Sequence, residues 1–177
     1  MSSILKVDQL QDSGGNAIIT SDGAGNLTTM KTNYPAFQAR LSATTAMSDA
    51  TITKVEFNTE EFDTDNYYDN STNYRFTPLI SGKYFIYAKY LFDTSATDLK
   101  VCSGYIYKND ALYTYANINF DANYAEGGFV TLNAIIDFNG STDFVDGRVF
   151  VDSVSGSTVN LFGNSNETYF GAFRIGS

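Results

Sequence analysis

The residues best able to do chemistry are acidic, and they are concentrated in one stretch of the chain. Glu60, Glu61, Asp63, Asp65 and Asp69 lie within ten positions, among Asn and Tyr. Carboxylates at this density can serve as a general acid and base or bind a hard cation. Hydrolysis of a glycan requires two facing carboxyls, one of them desolvated, and no feature of the sequence singles out such a pair. We therefore expect no catalytic residues and no enzymatic activity.

The same stretch carries four oxygen ligands of the kind that Ca²⁺ prefers, on Asp63, Asp65, Asn66 and Asp69. Their spacing does not match the EF-hand loop. The alternative is that they are solvated turn residues. We expect no cofactor, with calcium as the one cation that this loop would suit.

The chain contains no histidine and a single cysteine, Cys102. Ser-His-Asp triads, Cys-His pairs and ordinary zinc sites are therefore excluded. Cys102 lies in K-V-C-S-G-Y-I, which is typical of a strand interior. We expect a buried, inert thiol, because nothing nearby would stabilise a thiolate.

The composition limits the classes of partner. The net charge is −9 and the pI about 4.3, so the surface repels nucleic-acid phosphates and anionic lipids. No apolar run approaches the roughly 20 residues of a spanning helix, and M-S-S-I-L-K-V-D-Q-L lacks the basic start and apolar stretch of a signal peptide. We expect neither nucleic-acid binding nor membrane insertion.

The elements that must position these residues are strands. Short runs rich in Tyr, Phe, Val, Ile and Thr alternate with turn sequences such as Ser81-Gly82, Lys108-Asn109-Asp110 and Asn139-Gly140, which is typical of an all-β sandwich. Residues 129–138 alternate apolar and polar side chains, as a half-buried antiparallel strand does. Residues 105–107 and 111–118 read as the two arms of a hairpin.

The strand from Tyr84 to Phe92 breaks this alternation, because both of its faces are apolar and Lys89 is its only charged residue. The terminal strand, from Tyr169 to Ile175, repeats the pattern. In a two-layer sandwich the outer face has no second sheet of its own chain to cover it, so a neighbouring subunit is the simplest cover. The alternative is that loops or the N-terminal segment shield these faces.

From about Pro35 to the end, the chain resembles the globular heads of the C1q and tumour-necrosis-factor superfamily. The resemblance is carried, in order, by Phe57, Phe62-Asp63, Tyr68-Asp69, Phe76, Pro78, Gly82, Tyr84, Tyr169, Phe170 and Phe173. It implies a jelly-roll sandwich and three heads packed around an axis by aromatic-rich strands. We expect a homotrimer with contacts through Tyr84, Phe85, Tyr87, Lys89, Leu91, Tyr169, Phe170 and Phe173.

Residues 1–34 differ from the head, which spans residues 35–177. Their β-prone pieces, joined by Gly/Asn turns, contain too few apolar residues for a core: Ile4, Val7, Leu10, Ile18, Ile19 and Leu27. The pieces K-V-D-Q-L-Q and D-G-A-G-N-L-T resemble the openings of bacteriophage tail-fibre and other virion appendage proteins. We expect an anchor that attaches the head to other virion proteins. The alternative is a flexible leader.

A third group of residues suits recognition. Tyr67, Tyr68, Tyr113, Tyr115 and Tyr124 lie among Asn and Asp, a composition typical of surfaces that bind carbohydrate or protein, and also of ordinary solvent-facing strands.

The resulting hypothesis is a non-enzymatic fibre, spike or decoration protein of a bacteriophage. It would be assembled in the host cytoplasm and displayed on the particle surface, where its head would bind a host glycan or protein or only stabilise the particle. The alternatives are a secreted C1q-like binding module and a carboxylate-dependent glycan depolymerase.

Overall fold

A computed structural model describes residues 6–30, 34–154, 156–163 and 167–176. These residues form strands, turns and loops and contain no helix, so no helix among them could span a membrane. The chain divides into two compact units, residues 1–33 and 34–177.

The first unit is a three-stranded antiparallel sheet in the order β1–β2–β3. Its strands are β1 (Gln9–Gln11), β2 (Ala17–Ser21) and β3 (Leu27–Met30). Both turns are closed by an aspartate, because Asp12 accepts backbone hydrogen bonds from Gly14 and Asn16, and Asp22 accepts them from Ala24 and Asn26.

The described residues of the second unit form thirteen strands. They are β4 (Ala36–Arg40), β5 (Thr45–Met47), β6 (Thr53–Lys54), β7 (Thr59–Asp63), β8 (Tyr68–Asp69), β9 (Arg75–Phe76), β10 (Gly82–Thr94), β11 (Leu99–Lys108), β12 (Ala111–Asn119), β13 (Gly127–Phe138), β14 (Val145–Ser153), β15 (Val159–Leu161) and β16 (Tyr169–Gly176).

These strands form two antiparallel sheets around one core. The first sheet is built on β10, which pairs with β13 along one edge and with β16 and then β15 along the other. Beyond these, β4 pairs with β16 and β7, and β5 pairs with β15. The second sheet has the order β12–β11–β14–β9–β8, with β6 also paired to β14. The arrangement is a jelly-roll sandwich, as the resemblance implied.

The predicted hairpin is confirmed, with a longer first arm than expected. Strands β11 and β12 pair through an Asn109-Asp110 turn in which both residues have positive φ, 52° and 61°. Two consecutive left-handed residues give the turn whose twist matches that of the flanking strands, and Asn and Asp tolerate this conformation best after glycine.

The core between the sheets is dominated by aromatic rings. Phe37 is fully buried at its centre, with ring centroids 4.5 Å from both Tyr68 and Phe76 and 5.4 Å from Phe170. Cys102 is buried in the same core, and burial raises the pKa of its thiol to about 11. The thiol is therefore protonated and unreactive at neutral pH, as predicted.

Replacing Phe37 with alanine should lower the free energy of unfolding by about 3–5 kcal/mol, because it removes a ring packed on three others and leaves a cavity. Phe62, which lies on the neighbouring strand and is 46% exposed, is the matched control, and Phe62→Ala should cost much less. Urea unfolding at one fixed protein concentration measures both. Equal losses in the two variants would contradict the assigned core.

Candidate functional site

The most unusual surface of the head is the outer face of the first sheet. Along β10 the side chains alternate strictly, so that Tyr84, Ile86, Ala88, Tyr90 and Phe92 point into the core. The intervening residues, Phe85, Tyr87, Lys89 and Leu91, point outward and are half-buried. The predicted two-faced apolar strand is therefore present, and among residues 34–154, 156–163 and 167–176 no second layer covers its outer face.

Neighbouring strands extend this surface, which we call the aromatic face and define by the outward residues of β10, β13 and β16. Phe85 pairs with Phe173 on one side and with Ile135 on the other. The rings of Phe85 and Phe173 have centroids 5.3 Å apart, and the ring of Tyr87 lies 6.0 Å from that of Tyr169. The rings form one continuous patch across the pairs of strands.

Tyr87 occupies the middle of the aromatic face, and its position depends on a glycine. A Cβ atom at Gly171 would lie 2.3 Å from the Cζ atom of the Tyr87 ring, so no other residue leaves room for this ring. The Tyr87 hydroxyl donates a hydrogen bond of 3.0 Å to Oε1 of Gln38. Burial, assisted by Tyr169, raises the pKa of Tyr87, so the hydroxyl is neutral and the face carries no phenolate.

Two of the eight residues expected in the subunit contact lie elsewhere. Tyr84 and Phe170 are fully buried in the core of the sandwich, where the Tyr84 hydroxyl donates to the carbonyl of Ile80. They occupy the opposite face of their strands from Phe85 and Phe173, so they cannot reach a neighbouring subunit. The other six lie on the aromatic face: Phe85, Tyr87, Lys89, Leu91, Tyr169 and Phe173.

Sequence reasoning missed two prominent members of the aromatic face. Phe129 and Ile135 on β13 are 59% and 55% exposed, next to Leu91 and Phe85 respectively. Both lie an even number of positions from the polar residues Thr131 and Asn133, so they share the outward side of this strand with them. The alternation of residues along β13 therefore predicts that these two large apolar residues point away from the core.

The tyrosines predicted to bind a receptor do not form a single site. Tyr68 is buried and donates from its hydroxyl to the carbonyl of Phe57, 3.0 Å away, which removes it from any binding surface. Tyr67 is half-buried beside β9, and Tyr124 lies in the loop between β12 and β13.

Tyr113 and Tyr115 are exposed on β12. Tyr115 stacks on Tyr105 of β11 with centroids 5.7 Å apart. Tyr113 turns toward the other sheet, where its hydroxyl donates to the carbonyl of Ile135 at 3.0 Å. The five predicted tyrosines therefore lie in four different places: Tyr68 in the core, Tyr67 beside β9, Tyr124 in a loop, and Tyr113 and Tyr115 on the edge strand β12.

The residues expected to suit calcium use their oxygens within the loop. Asp69 accepts hydrogen bonds from the backbone N–H groups of Ser71, Thr72 and Asn73 at 2.9–3.1 Å. Although burial acts to raise it, these bonds hold the pKa of Asp69 well below its usual range. Asp63 accepts from the N–H groups of Tyr68 and Asp65.

Asp65 accepts from the Thr64 hydroxyl, while Asn66 has left-handed backbone geometry, with φ of 58°. Within residues 6–30, 34–154, 156–163 and 167–176, no three acidic or cysteine side chains converge on a common point that could hold a metal ion. The loop is therefore organised by its own backbone hydrogen bonds.

The first unit exposes most of the apolar residues assigned to the anchor. Val7, Leu10, Ile19 and Leu27 line a shallow apolar groove, and Ile18 is also exposed. Ile4 lies outside the described residues. One three-stranded sheet is too small to bury these side chains by itself.

Comparison with known proteins identifies the fold of the head. No family model matches the sequence, and no curated protein is similar to it. The structure is similar to murine APRIL crystallised at pH 5.0, with a TM-score of 0.59 and 8% identity over 81% of this chain and 100% of that one. It is also similar to Eiger TNF from S. frugiperda, with a TM-score of 0.55 and 9% identity over 81% and 92% of the two chains. The chain therefore has a TNF-like jelly-roll fold.

Proposed function

We propose that the protein is a homotrimeric, non-enzymatic binding module whose subunits pack through the aromatic face. The observation that carries this proposal is the continuous patch of rings on the outer side of β10, β13 and β16, centred on Tyr87. An apolar patch of this kind on a sandwich is costly to leave in water and marks a contact with another chain. The TNF-like fold favours a second and third copy of the same chain.

A closed trimer requires two different surfaces that fit each other, because its contacts are head-to-tail. The aromatic face supplies one. The other is the edge formed by β12 and β13, where Leu112 and Tyr113 are about half exposed. These exposed side chains lie beside the aromatic face and give each subunit a second apolar surface, which can contact the aromatic face of the next subunit.

The carboxylates support a non-enzymatic role. Those of Asp63, Asp65 and Asp69 accept hydrogen bonds from neighbouring backbone or hydroxyl groups, which gives these carboxylates a structural role in fixing the loop.

The finer proposal places the trimer on a bacteriophage particle, with the first unit as its attachment segment and the head displayed outward. The exposed apolar groove on β1–β3, with Val7, Leu10 and Leu27 on its rim, supports attachment, because it needs a partner surface to cover it. Open sheet edges add a second means of attachment through strand pairing. Capsid and tail genes beside the gene for this protein would support the same role.

Replacing Tyr87 with aspartate should convert the trimer into monomers, because it places a charge in an apolar contact without a partner. Light scattering on a size-exclusion column should give three times 19.4 kDa for the unchanged protein and 19.4 kDa, or aggregate, for the variant. Ile52→Asp is the control, since Ile52 is 47% exposed in the loop directly before β6, outside the aromatic face, and it should leave the mass unchanged. A monomeric unchanged protein at micromolar concentration would refute the proposal.

A chain that begins at Pro35 should remain a folded trimer and lose its attachment to particles, because residues 34–177 form a compact unit of their own. Sedimentation of purified particles with the shortened and full-length proteins measures binding directly. Aggregation of the shortened chain would show that the first unit belongs to the core. Undiminished binding would show that the head is the docking surface and would remove the support for outward display.

A further inference from the structure

A second surface of the head has the features of a ligand site, and it lies apart from the strands of the aromatic face. It is an open cleft of about 450 Å³ between β7, β8, β9 and the loop that follows β8. The volume falls within the range of small-molecule sites. Its walls include Glu60, Tyr67, Asn70, Arg75 and Thr77.

The polar side chains of this cleft lack partners within the protein. In the part of the chain that the structure describes, the side chains of Glu60, Tyr67, Asn70 and Arg75 make no hydrogen bond and no ion pair. Arg75 is positioned by stacking, with its guanidinium carbon 4.2 Å from the centroid of Phe144, so its N–H donors are held in place but unused. The cleft therefore presents an acid, a phenol, an amide and a guanidinium with free hydrogen-bonding capacity.

The walls of the cleft are fixed before any ligand arrives. The loop that carries Asn70 is closed by the hydrogen bonds that Asp69 accepts from residues 71–73. The carbonyl of Tyr67 accepts a bond of 2.9 Å from the N–H group of Thr77, which ties Tyr67 to the residue that directly follows β9. A prearranged set of groups loses little conformational entropy on binding.

The chemistry of the walls selects among ligand classes. One arginine beside Glu60 and Asp69, in a chain of net charge −9, does not favour phosphate or another strong anion. Leu79 is the only aliphatic residue of the lining, which is too little for a lipid or an apolar peptide anchor. A neutral saccharide fits, because its hydroxyls both donate and accept hydrogen bonds and the apolar side of its ring can pack on a tyrosine.

We propose that this cleft binds a neutral saccharide unit. Tyr67 packs against the sugar ring, Arg75 and Asn70 donate hydrogen bonds to its oxygens, and Glu60 accepts from its hydroxyls. This inference names a class of ligand for the proposed binding module, and its biological meaning rests on that proposed function. The cleft lies within a single head, so saccharide binding is measurable whether or not the chain is trimeric.

Saturation-transfer difference NMR on the full chain tests the proposal, with glucose, galactose, N-acetylglucosamine and their β-linked disaccharides as probes. At least one probe should give saturable transfer that Tyr67→Ala weakens by about tenfold or more. Tyr115→Ala, which removes the same kind of side chain from an exposed position on β12, should leave binding unchanged. Asn70→Ala should also weaken binding, and it keeps the test informative if Tyr67→Ala fails to fold.

Other outcomes overturn the inference. These are no saturable transfer from any probe, equal binding by the unchanged protein and the Asn70→Ala variant, or loss of binding in Tyr115→Ala alone. The disaccharides should also be recovered intact after incubation. Cleavage that depends on Glu60, Asp63, Asp65 or Asp69 would replace a binding site with a hydrolytic one. A monomeric protein that still binds a saccharide would refute the proposed assembly and leave the cleft assignment standing.

Discussion

Strand β10 is apolar on both of its faces, and the rest of the head is arranged around that constraint. It is paired along both edges, to β13 on one side and to β16 and β15 on the other, so its position in the middle of the sheet is fixed. The inward residues require a second sheet, which β11 and β14 supply. The outward residues are apolar, and the described part of the head places no second layer over them, which links the fold to the proposed assembly.

The core shows what holds the sandwich together in a chain with a single cysteine. Phe37 packs against three rings, and Tyr90 reaches across the sandwich to donate a hydrogen bond to the carbonyl of Tyr105 on the second sheet. On the far side of that sheet, the buried carboxylate of Asp146 is paired with Arg148 and with Lys54, at 2.6 and 3.0 Å. A buried charge is tolerated only when it is paired in this way.

The sequence was sufficient for the all-β class, the hairpin and the two-faced strand, because each depends on local periodicity or on turn residues. The jelly-roll topology came from the family resemblance. It was not sufficient for the inward or outward direction of an aromatic strand. Tyr84 and Phe85 are equally apolar, so alternation separates two sets of residues without showing which one enters the core. Lys89 was the best available guide to the direction of this strand. A lysine with no acidic partner is costly to bury, so Lys89 and the residues on its side of the strand should point outward.

The saccharide cleft was less accessible to sequence reasoning. Tyr67 was among the candidates, but so was Tyr68, and successive side chains of an extended segment point to opposite sides, so Tyr68 is buried while Tyr67 is half-buried in the cleft wall. The meeting of Glu60, Tyr67 and Arg75 depends on three short strands returning to one place, and no spacing rule predicts it. The unused hydrogen-bonding groups of these side chains can be identified only from a structure, because the sequence does not show which groups they contact.

The central claim is that the outward side of β10 and β16 lies between subunits. The most direct measurement is the area buried at Tyr87 and Phe173 in an experimental structure of the assembled protein, obtained by crystallography or electron microscopy. We expect a threefold axis, with both side chains covered by a neighbouring copy. Side chains that face solvent, or that are covered by residues 1–33 of their own chain, would contradict it.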